Sequence, residues 1–220
     1  MYPPFGTGLD YFGASWGTLT LTETTQTFVE PLSFEEAAAY LKLPSTAITD
    51  PGVEAELTLF IQAAREQAEI LQNRDLVRKQ WDMVRDYWPY GEVELRPHLV
   101  SVDLVQTKDV DGNVMTLAQD TDYTVDASKH PGIILPPANQ PWSVFVPWPS
   151  SSILIRFTSG VGPNSVFWQD AGARVKIGMK YLINEWYTNR LPLERGRTAA
   201  NEYPDPITAC LSYGAVPSVR

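Results

Sequence analysis

A long amphipathic segment, residues 51–73, constrains the fold of this chain more than any other part of its sequence. Asp50 can accept hydrogen bonds from the free N–H groups of a first turn, and Pro51 has the φ angle that such a turn requires, so the pair marks a helix start. Apolar side chains at three- and four-residue spacing form one stripe, at Leu57, Phe60, Ile61, Ala64, Ala68 and Leu71. Such a helix must bury one side and turn the other side to water or a partner.

Two further segments predict helices that pack against this stripe. Ser33 and Glu36 form a capping-box pattern, in which the hydroxyl and the carboxylate satisfy free N–H groups, and this helix is predicted over about residues 33–42. The other segment covers about residues 166–190, and its apolar side is formed by Val175, Met179, Leu182, Ile183 and Trp186. Together with the helix over 51–73, they make three predicted helices with apolar sides to bury.

Alternating apolar residues predict β-strands elsewhere in the chain. Residues 18–29 are interpreted as a strand, and residues 75–88 fit either period but are also interpreted as a strand. The turn sequence Asp111-Gly112-Asn113 separates two alternating runs and predicts a β-hairpin. The alternating positions are Val100, Val102, Leu104, Met115, Leu117, Tyr123, Val125, Ile133, Leu135, Ile153, Ile155 and Phe157. We therefore predict an α+β fold, in which antiparallel strands over about residues 91–160 stand between the predicted helices in sequence.

The two ends of the chain show neither the helical nor the strand periodicity of apolar residues. Residues 1–17 contain four glycines and five aromatic residues, and residues 191–220 contain four prolines; both are predicted to be extended arms around a central domain of residues 18–190. Apolar side chains on an arm have no core of their own, so we expect them to bury against a neighbouring molecule. The residues predicted to contact a partner are Tyr203, Ile207, Leu211, Tyr213 and Arg220.

Composition and charge exclude several classes of protein. The 220 residues correspond to one large domain or two small ones, and no apolar run approaches the ~20 residues of a membrane-spanning helix. The net charge is −9 and acidic groups outnumber basic ones throughout residues 1–160, so strong non-specific binding of DNA phosphates is not expected. Residues 161–220 are slightly basic, which fits attraction between neighbouring subunits and equally fits simple solvation. The single cysteine, Cys210, fits a reducing compartment.

The sequence predicts no catalytic, cofactor-binding or metal-binding residues. The only histidines, His98 and His130, stand beside prolines and outside any metal-ligand spacing. The run Asp109–Asn113 resembles the start of a calcium loop, but Val114 stands where that loop needs a glycine. An ordinary hairpin turn is therefore the better interpretation.

The proline-rich segment 136–151 is predicted to be a loop or a sheet edge. It carries Trp142 and Trp148, whose rings offer a sugar-stacking platform, so an extracellular carbohydrate-binding or hydrolytic domain is one alternative function. Tryptophans more often fill cores and interfaces, and both interpretations stay open at this point.

Seven segments of the chain stand in an order and spacing found in one protein family. They are PLSFEEAAAYLKL (31–43), FIQAAREQAE (60–69), NRDLVRKQW (73–81), ELRPHLVSV (94–102), DYTV (122–125), IRFTSGVG (155–162) and EWYTNR (185–190). Over about residues 18–190 the chain resembles the head–tail connector proteins of tailed bacteriophages, also called adaptors. The resemblance implies a small helical bundle with an inserted antiparallel β region, and a structural virion protein without enzymatic activity or cofactors. It further implies a homo-oligomeric ring of about a dozen copies in the neck, assembled after a stage in the host cytoplasm and without membrane association.

In that family the ring lies under the portal protein of the DNA-filled head, contacts a downstream neck or tail protein, and lets DNA pass without specific binding. Residues 1–17 and 136–151 have no counterpart in the family, and their roles stay open. We expect residues 191–220 to dock on the portal or a neighbouring subunit, so that deleting residues 196–220 abolishes attachment and leaves the domain folded. A different virion component, such as a tail completion or minor capsid protein, is the alternative within the virion.

Overall fold

The computed structural model describes residues 18–22, 29–138, 140–142, 149–162, 165–169, 172–189 and 205–216. These ranges have the predicted α+β fold, with a helical bundle beside two antiparallel β-sheets. The predicted N-terminal arm, residues 1–17, lies outside the described residues.

Two of the predicted helices form with the predicted caps. The helices of the described residues are α1 (Phe34–Tyr40), α2 (Ser45–Ile48), α3 (Pro51–Gln72), α4 (Val166–Gln169), α5 (Gly172–Thr188) and α6 (Asp205–Leu211). The Ser33 hydroxyl accepts from the Glu36 N–H at 3.2 Å and the Glu36 carboxylate accepts from the Ser33 N–H at 3.3 Å, which completes the capping box of α1. The Asp50 carboxylate accepts from the Gly52 N–H at 2.8 Å and begins α3.

Within the helix predicted over residues 166–190, the structure describes α4 and α5, and residues 170 and 171 between them lie outside the described residues. The rings of Phe167 and Trp168 pack against the core of the bundle. Trp168 lies so close to Gly172, the first residue of α5, that a Cβ there would stand 2.3 Å from the indole ring. This aromatic contact needs the small residue at the start of the second helix, which periodicity alone does not indicate.

The predicted extended arm over residues 191–220 also needs correction, because it contains helix α6. Ile207 and Leu211 lie one helical turn apart on α6 and pack inside the bundle against α3 and α5. The segment is therefore part of the folded domain and not wholly an extended arm.

The predicted alternation is only partly correct, because bulges shift the register of the sheet between Leu99 and Ser101 and between Val102 and Leu104, and the alternating positions Val100 and Met115 are 43% and 45% exposed. The strands themselves lie close to their predicted positions. They are β1 (Thr18–Leu21), β2 (Lys79–Arg85), β3 (Val93–Glu94), β4 (Leu99–Lys108), β5 (Val114–Thr116), β6 (Thr124–Asp126), β7 (Ile133–Leu135) and β8 (Ile153–Ser159). The larger sheet has the order β1-β2-β8-β4-β5, and the smaller one has the order β3-β7-β6. The segment over 75–88 is a strand, as interpreted, and the sheet also takes in β1, so the β structure extends beyond residues 91–160.

The hairpin joins β4 and β5 through the predicted turn. Gln106 pairs with Thr116, and Gly112 adopts φ 86°, a left-handed value that glycine tolerates best. The Asp109 carboxylate accepts from the Asn113 side-chain amide at 2.9 Å and from the N–H groups of Asn113 and Asp111 at 2.8 and 2.9 Å, and these bonds hold the pKa of Asp109 below its usual value. The carboxylate therefore stabilises the hairpin turn, in agreement with the hairpin interpretation.

Two hydrophobic cores hold the molecule together. The helical core is formed by the facing stripes of α1, α3, α5 and α6, and the second core lies between the two sheets. Ile153, Ile155 and Phe157, the apolar positions of β8, are fully buried in the second core. None of the helices in the described ranges is long and apolar enough to cross a membrane.

Candidate assembly surfaces and the joint between the two cores

The structure divides the residues predicted to contact a partner into three groups. Leu211 is fully buried and Ile207 is 7% exposed, so both face the helical core of their own chain. Tyr213 is 41% exposed, and the Arg174 guanidinium lies over its ring at 4.0 Å from the centroid. Tyr203 and Arg220 lie outside the described residues. Among the predicted contacts that the structure describes, Tyr213 is the one with a large exposed surface.

Polar side chains at the end of α3 hold the segment that follows α6. The Gln72 side-chain amide, which is completely buried, donates to the carbonyls of Leu211 and Tyr213. The Val216 N–H donates to the Gln72 carbonyl at 3.0 Å and satisfies one of the carbonyls left free at the end of α3. These bonds attach residues 211–216 to the bundle over a distance of about 140 positions in sequence.

Arg74 continues this contact toward the β region. Its guanidinium donates to the Gly214 carbonyl and to Nε2 of His98, the latter at 3.0 Å, and it lies 4.9 Å from the centre of the Phe167 ring. The pKa of His98 is lowered to about 4, mainly by burial and next by the neighbouring Arg74 charge. His130, whose ring centre lies 4.5 Å from that of His98, lowers it further. His98 is therefore neutral at physiological pH and accepts the arginine hydrogen bond through Nε2.

A chain of buried charges joins the helical bundle to the larger sheet. Arg65 on α3 is 3% exposed and donates to Glu30 at 3.0 Å and to Glu69 at 2.9 Å. Glu69 also accepts from Lys79 on β2 and, at 2.9 Å, from the Leu76 N–H. Burial raises the pKa of Glu30, and the Arg65 charge opposes that change. Removing one member of such a network leaves an uncompensated buried charge, so the joint is expected to be rigid.

Asp75 lies at the centre of this joint and is 1% exposed. Its carboxylate accepts two hydrogen bonds from Arg96 at 2.8 and 2.9 Å, one from the Trp81 indole at 3.0 Å and one from the Ser159 hydroxyl at 2.6 Å. The backbone approaches closely here as well, because a Cβ at Gly160 would stand 2.1 Å from the Val77 carbonyl. Asp75 therefore ties together three stretches of chain that are distant in sequence.

The outer face of the larger sheet is polar. Asp82 on β2 and Arg156 on β8 are paired across the strands by two hydrogen bonds of 2.7 and 2.8 Å. The arginine hydrogen bonds lower the pKa of Asp82, and the carboxylate raises the pKa of Arg156. Asp103 accepts from Gln80 and Thr158 on the same face, each at 2.9 Å. On this face the charges of Asp82 and Arg156 are therefore paired within the subunit.

Trp142 is buried in the core between the sheets, which argues against its part in a sugar-stacking platform. It is 4% exposed, its ring stacks on Trp88 at 4.1 Å between centroids, and its indole N–H donates to the Gly91 carbonyl at 2.7 Å. Trp148, the other half of that hypothesis, lies outside the described residues. Within the part of the chain that the structure describes, no three His, Cys, Asp or Glu side chains converge as a metal site.

Sequence reasoning missed Gln72, Arg74 and Asp75, which connect the bundle to its surroundings. A buried polar residue has no periodic signal, because its partners come from distant segments. The one local indication was their position, with Gln72 in the last turn of a strongly predicted helix and Arg74 and Asp75 just after it, where free carbonyls need donors.

The fold is shared with chains of gene transfer agent (GTA) particles. In a structure of the neck of an empty GTA particle computed with C6 symmetry, one chain matches with TM-score 0.63 and 19% identity over 92% of this chain and 97% of that chain. A chain in the virion of a native GTA particle matches with TM-score 0.64 and 18% identity over 92% of this chain and 97% of that chain. A chain in the neck of a native GTA particle computed with C12 symmetry matches with TM-score 0.54 and 16% identity over 89% of this chain and 98% of that chain. No protein-family model and no curated protein matches the sequence.

Proposed function

We propose that this chain is a structural protein of a phage neck, a head–tail connector or adaptor. About twelve copies form a ring under the portal protein, join the DNA-filled head to a downstream neck or tail protein, and line part of the DNA conduit. The subunits assemble in the host cytoplasm and function in the virion without enzymatic activity.

The observation that carries this proposal is the fold shared with chains from GTA necks. The match extends over about nine-tenths of this chain and nearly all of the other chains, so both the bundle and the β region are included. The segment order that resembles connector proteins supports the same function independently, because it was identified in the sequence without the fold.

The electrostatics of the chain suit a conduit through which DNA slides. The net charge of −9 disfavours strong, non-specific binding of the chain to DNA phosphates. The charged pairs on the outer sheet face are neutralised within the subunit, as for Asp82 and Arg156. DNA passing beside such a surface finds few phosphate contacts.

The C-terminal contacts with the portal or a neighbour are assigned to Tyr203, Tyr213 and Arg220. Ile207 and Leu211 belong to the core of their own subunit, so deletion of residues 196–220 removes core packing together with any partner contact. The earlier expectation that the deletion leaves the domain folded is therefore wrong. Tyr213→Ala, combined with removal of residues 217–220, tests attachment without opening the core.

The function is tested by disrupting the gene in the virus that encodes it and imaging the particles by electron microscopy. The expected result is separate tails beside tailless heads that have lost DNA, with intact particles restored when the gene is supplied in trans. Intact infectious particles without the protein would refute the neck function. Joined heads and tails with a defect elsewhere would instead favour a tail completion or minor capsid protein.

A further inference from the structure

Helix α3 exposes a second apolar stripe on the side opposite its buried stripe. The stripe consists of Ala55, Leu59, Ala63 and Ile70, which 100° per residue places within an arc of about 80°. Leu59 is 64% exposed and Ile70 is 73% exposed. Single exposed apolar residues are ordinary, but large ones aligned along a long helix indicate a surface that a partner covers.

Helix α5 carries a comparable stripe on its own outer side. Ala173, Ile177 and Tyr181 follow one another at four-residue spacing, and Ile177 and Tyr181 are 44% and 40% exposed. Tyr40 of α1 extends this surface, with its ring centre 6.4 Å from that of Tyr181. Because α3 and α5 pack against each other through their buried stripes, their exposed stripes point away from each other, on different sides of the bundle.

The two outer faces carry opposite charges. Between Pro51 and Gln72, α3 has four glutamates and a single cation, Arg65, which is buried and bound to Glu30 and Glu69. The exposed part of that helix is therefore acidic: at 100° per residue Glu66 falls within the arc of the apolar stripe, between Ala63 and Ile70, and Glu56 falls at the edge of that arc. Between Gly172 and Thr188, α5 has Arg174, Lys176 and Lys180 against one acidic residue, Glu185. The faces match each other in apolar character and complement each other in charge.

We infer that the acidic apolar face of α3 in one copy docks on the basic apolar face of α5 in a second copy of this chain. Two copies of the same face are disfavoured, because glutamates would meet glutamates across the α3 face. A contact between two different faces is heterologous, and it closes into a ring when the rotation between neighbours divides a full turn. The inference rests on the proposed ring and names the surfaces that build it.

Cysteine cross-linking tests the contact directly. In a Cys210→Ala background, Leu59→Cys and Ile177→Cys are made separately and together, and Ile70→Cys with Ile177→Cys is made as a second pairing. Each variant is oxidised both as concentrated purified protein and in virus particles, and its products are separated on non-reducing gels. A disulfide needs Cα atoms within about 7 Å, so a product reports direct contact.

We expect at least one double variant to give a ladder of multimers beyond the dimer, while each single variant stays monomeric. Val110→Cys with Ile177→Cys is the matched control, because Val110 is 49% exposed but lies on the hairpin turn, and it should give no ladder. Dimers from Leu59→Cys alone would overturn the inference in favour of a symmetric contact. Monomers from every double variant, in particles that contain the protein, would overturn it and leave the neck function standing. Absence of the protein from particles would refute the neck function itself.

A charge exchange provides a second readout, on the exposed Glu66, which lies 3.6 Å from Arg65, and the half-buried Lys180. Glu66→Lys alone and Lys180→Glu alone should each reduce the yield of the cross-linked ladder about fivefold at low salt, because each places like charges across the contact. The combined variant should restore the yield. Failure of the combined variant to restore it would show that these two faces do not meet.

Discussion

The buried aspartate at the joint gives the most direct test of how the two cores are held together. Asp75 accepts four hydrogen bonds of 2.6 to 3.0 Å while 1% exposed. In Asp75→Asn, an amide nitrogen faces at least one donor of Arg96 and the charge pair is lost. Breaking a buried pair costs about 3–5 kcal/mol, and we expect about 3 kcal/mol here because Arg96 is 28% exposed.

The protein contains its own control for this prediction. Asp82 makes a similar double hydrogen bond to Arg156, but both side chains are more exposed, at 15% and 33%. Asp82→Asn should therefore cost about 1 kcal/mol or less. Urea unfolding followed by tryptophan fluorescence measures both changes. With a slope of about 3 kcal/mol per molar, the midpoint should fall by about 1 M for Asp75→Asn and about 0.3 M for Asp82→Asn. Equal losses would refute the argument that burial sets the strength of these pairs.

Three further predictions concern the docked C-terminal helix, the buried histidine and the buried tryptophan. Gly178→Ala should destabilise the chain by about 1–3 kcal/mol, since the new Cβ would stand 2.7 Å from Leu211. In the double variant with Leu211→Ala, the loss in free energy of unfolding, measured with denaturant, should be smaller than the sum of the losses in the two single variants. The pKa of His98 is about 4 in the folded chain, so the unfolded chain binds more protons between about pH 4 and 6.5. The free energy of unfolding should therefore fall as the pH decreases through this range. His98→Gln should make that fall shallower, which denaturation midpoints measured at pH 7 and 4.5 would show. Trp142→Ala should lower the free energy of unfolding by about 3–5 kcal/mol in urea titrations, because the side chain is buried in the core. The opposite result would be a variant that folds as stably as the original chain but loses binding to a glycan array, and it would contradict this role of Trp142.

Local signals predicted the elements whose stability is local. The capping box at Ser33, the Asp50-Pro51 helix start and the hairpin turn at Gly112 each depend on residues within four positions, and each forms as predicted. The alternating run in β8 likewise reflects burial of every second residue. These features need no knowledge of distant contacts.

Helix α6 was missed because its signals are short and its prolines were misleading. Ile207 and Leu211 give only one pair at helical spacing, which does not establish a period. Pro206 indicated an irregular segment, yet proline is compatible with a first helical turn, where its missing N–H has no partner to lose. The helix is instead stabilised by packing on α3 and α5 and by the donor groups of Gln72, and of these α3 with Gln72 lies more than a hundred residues away in sequence.

This reassignment changes where the binding energy of an assembly should come from. Arms would have to be ordered on binding, at about 1–2 kcal/mol of backbone entropy per residue, before their apolar side chains stabilised a contact. The structure buries Ile207 and Leu211 within their own subunit and exposes Leu59, Ile70 and Ile177 on two long helices that are already ordered. Contacts between such helix faces need little ordering of the backbone, but each face is narrow, so a single contact is weak in solution. In a closed ring every subunit makes two such contacts at once, and weak pairs then produce a stable assembly.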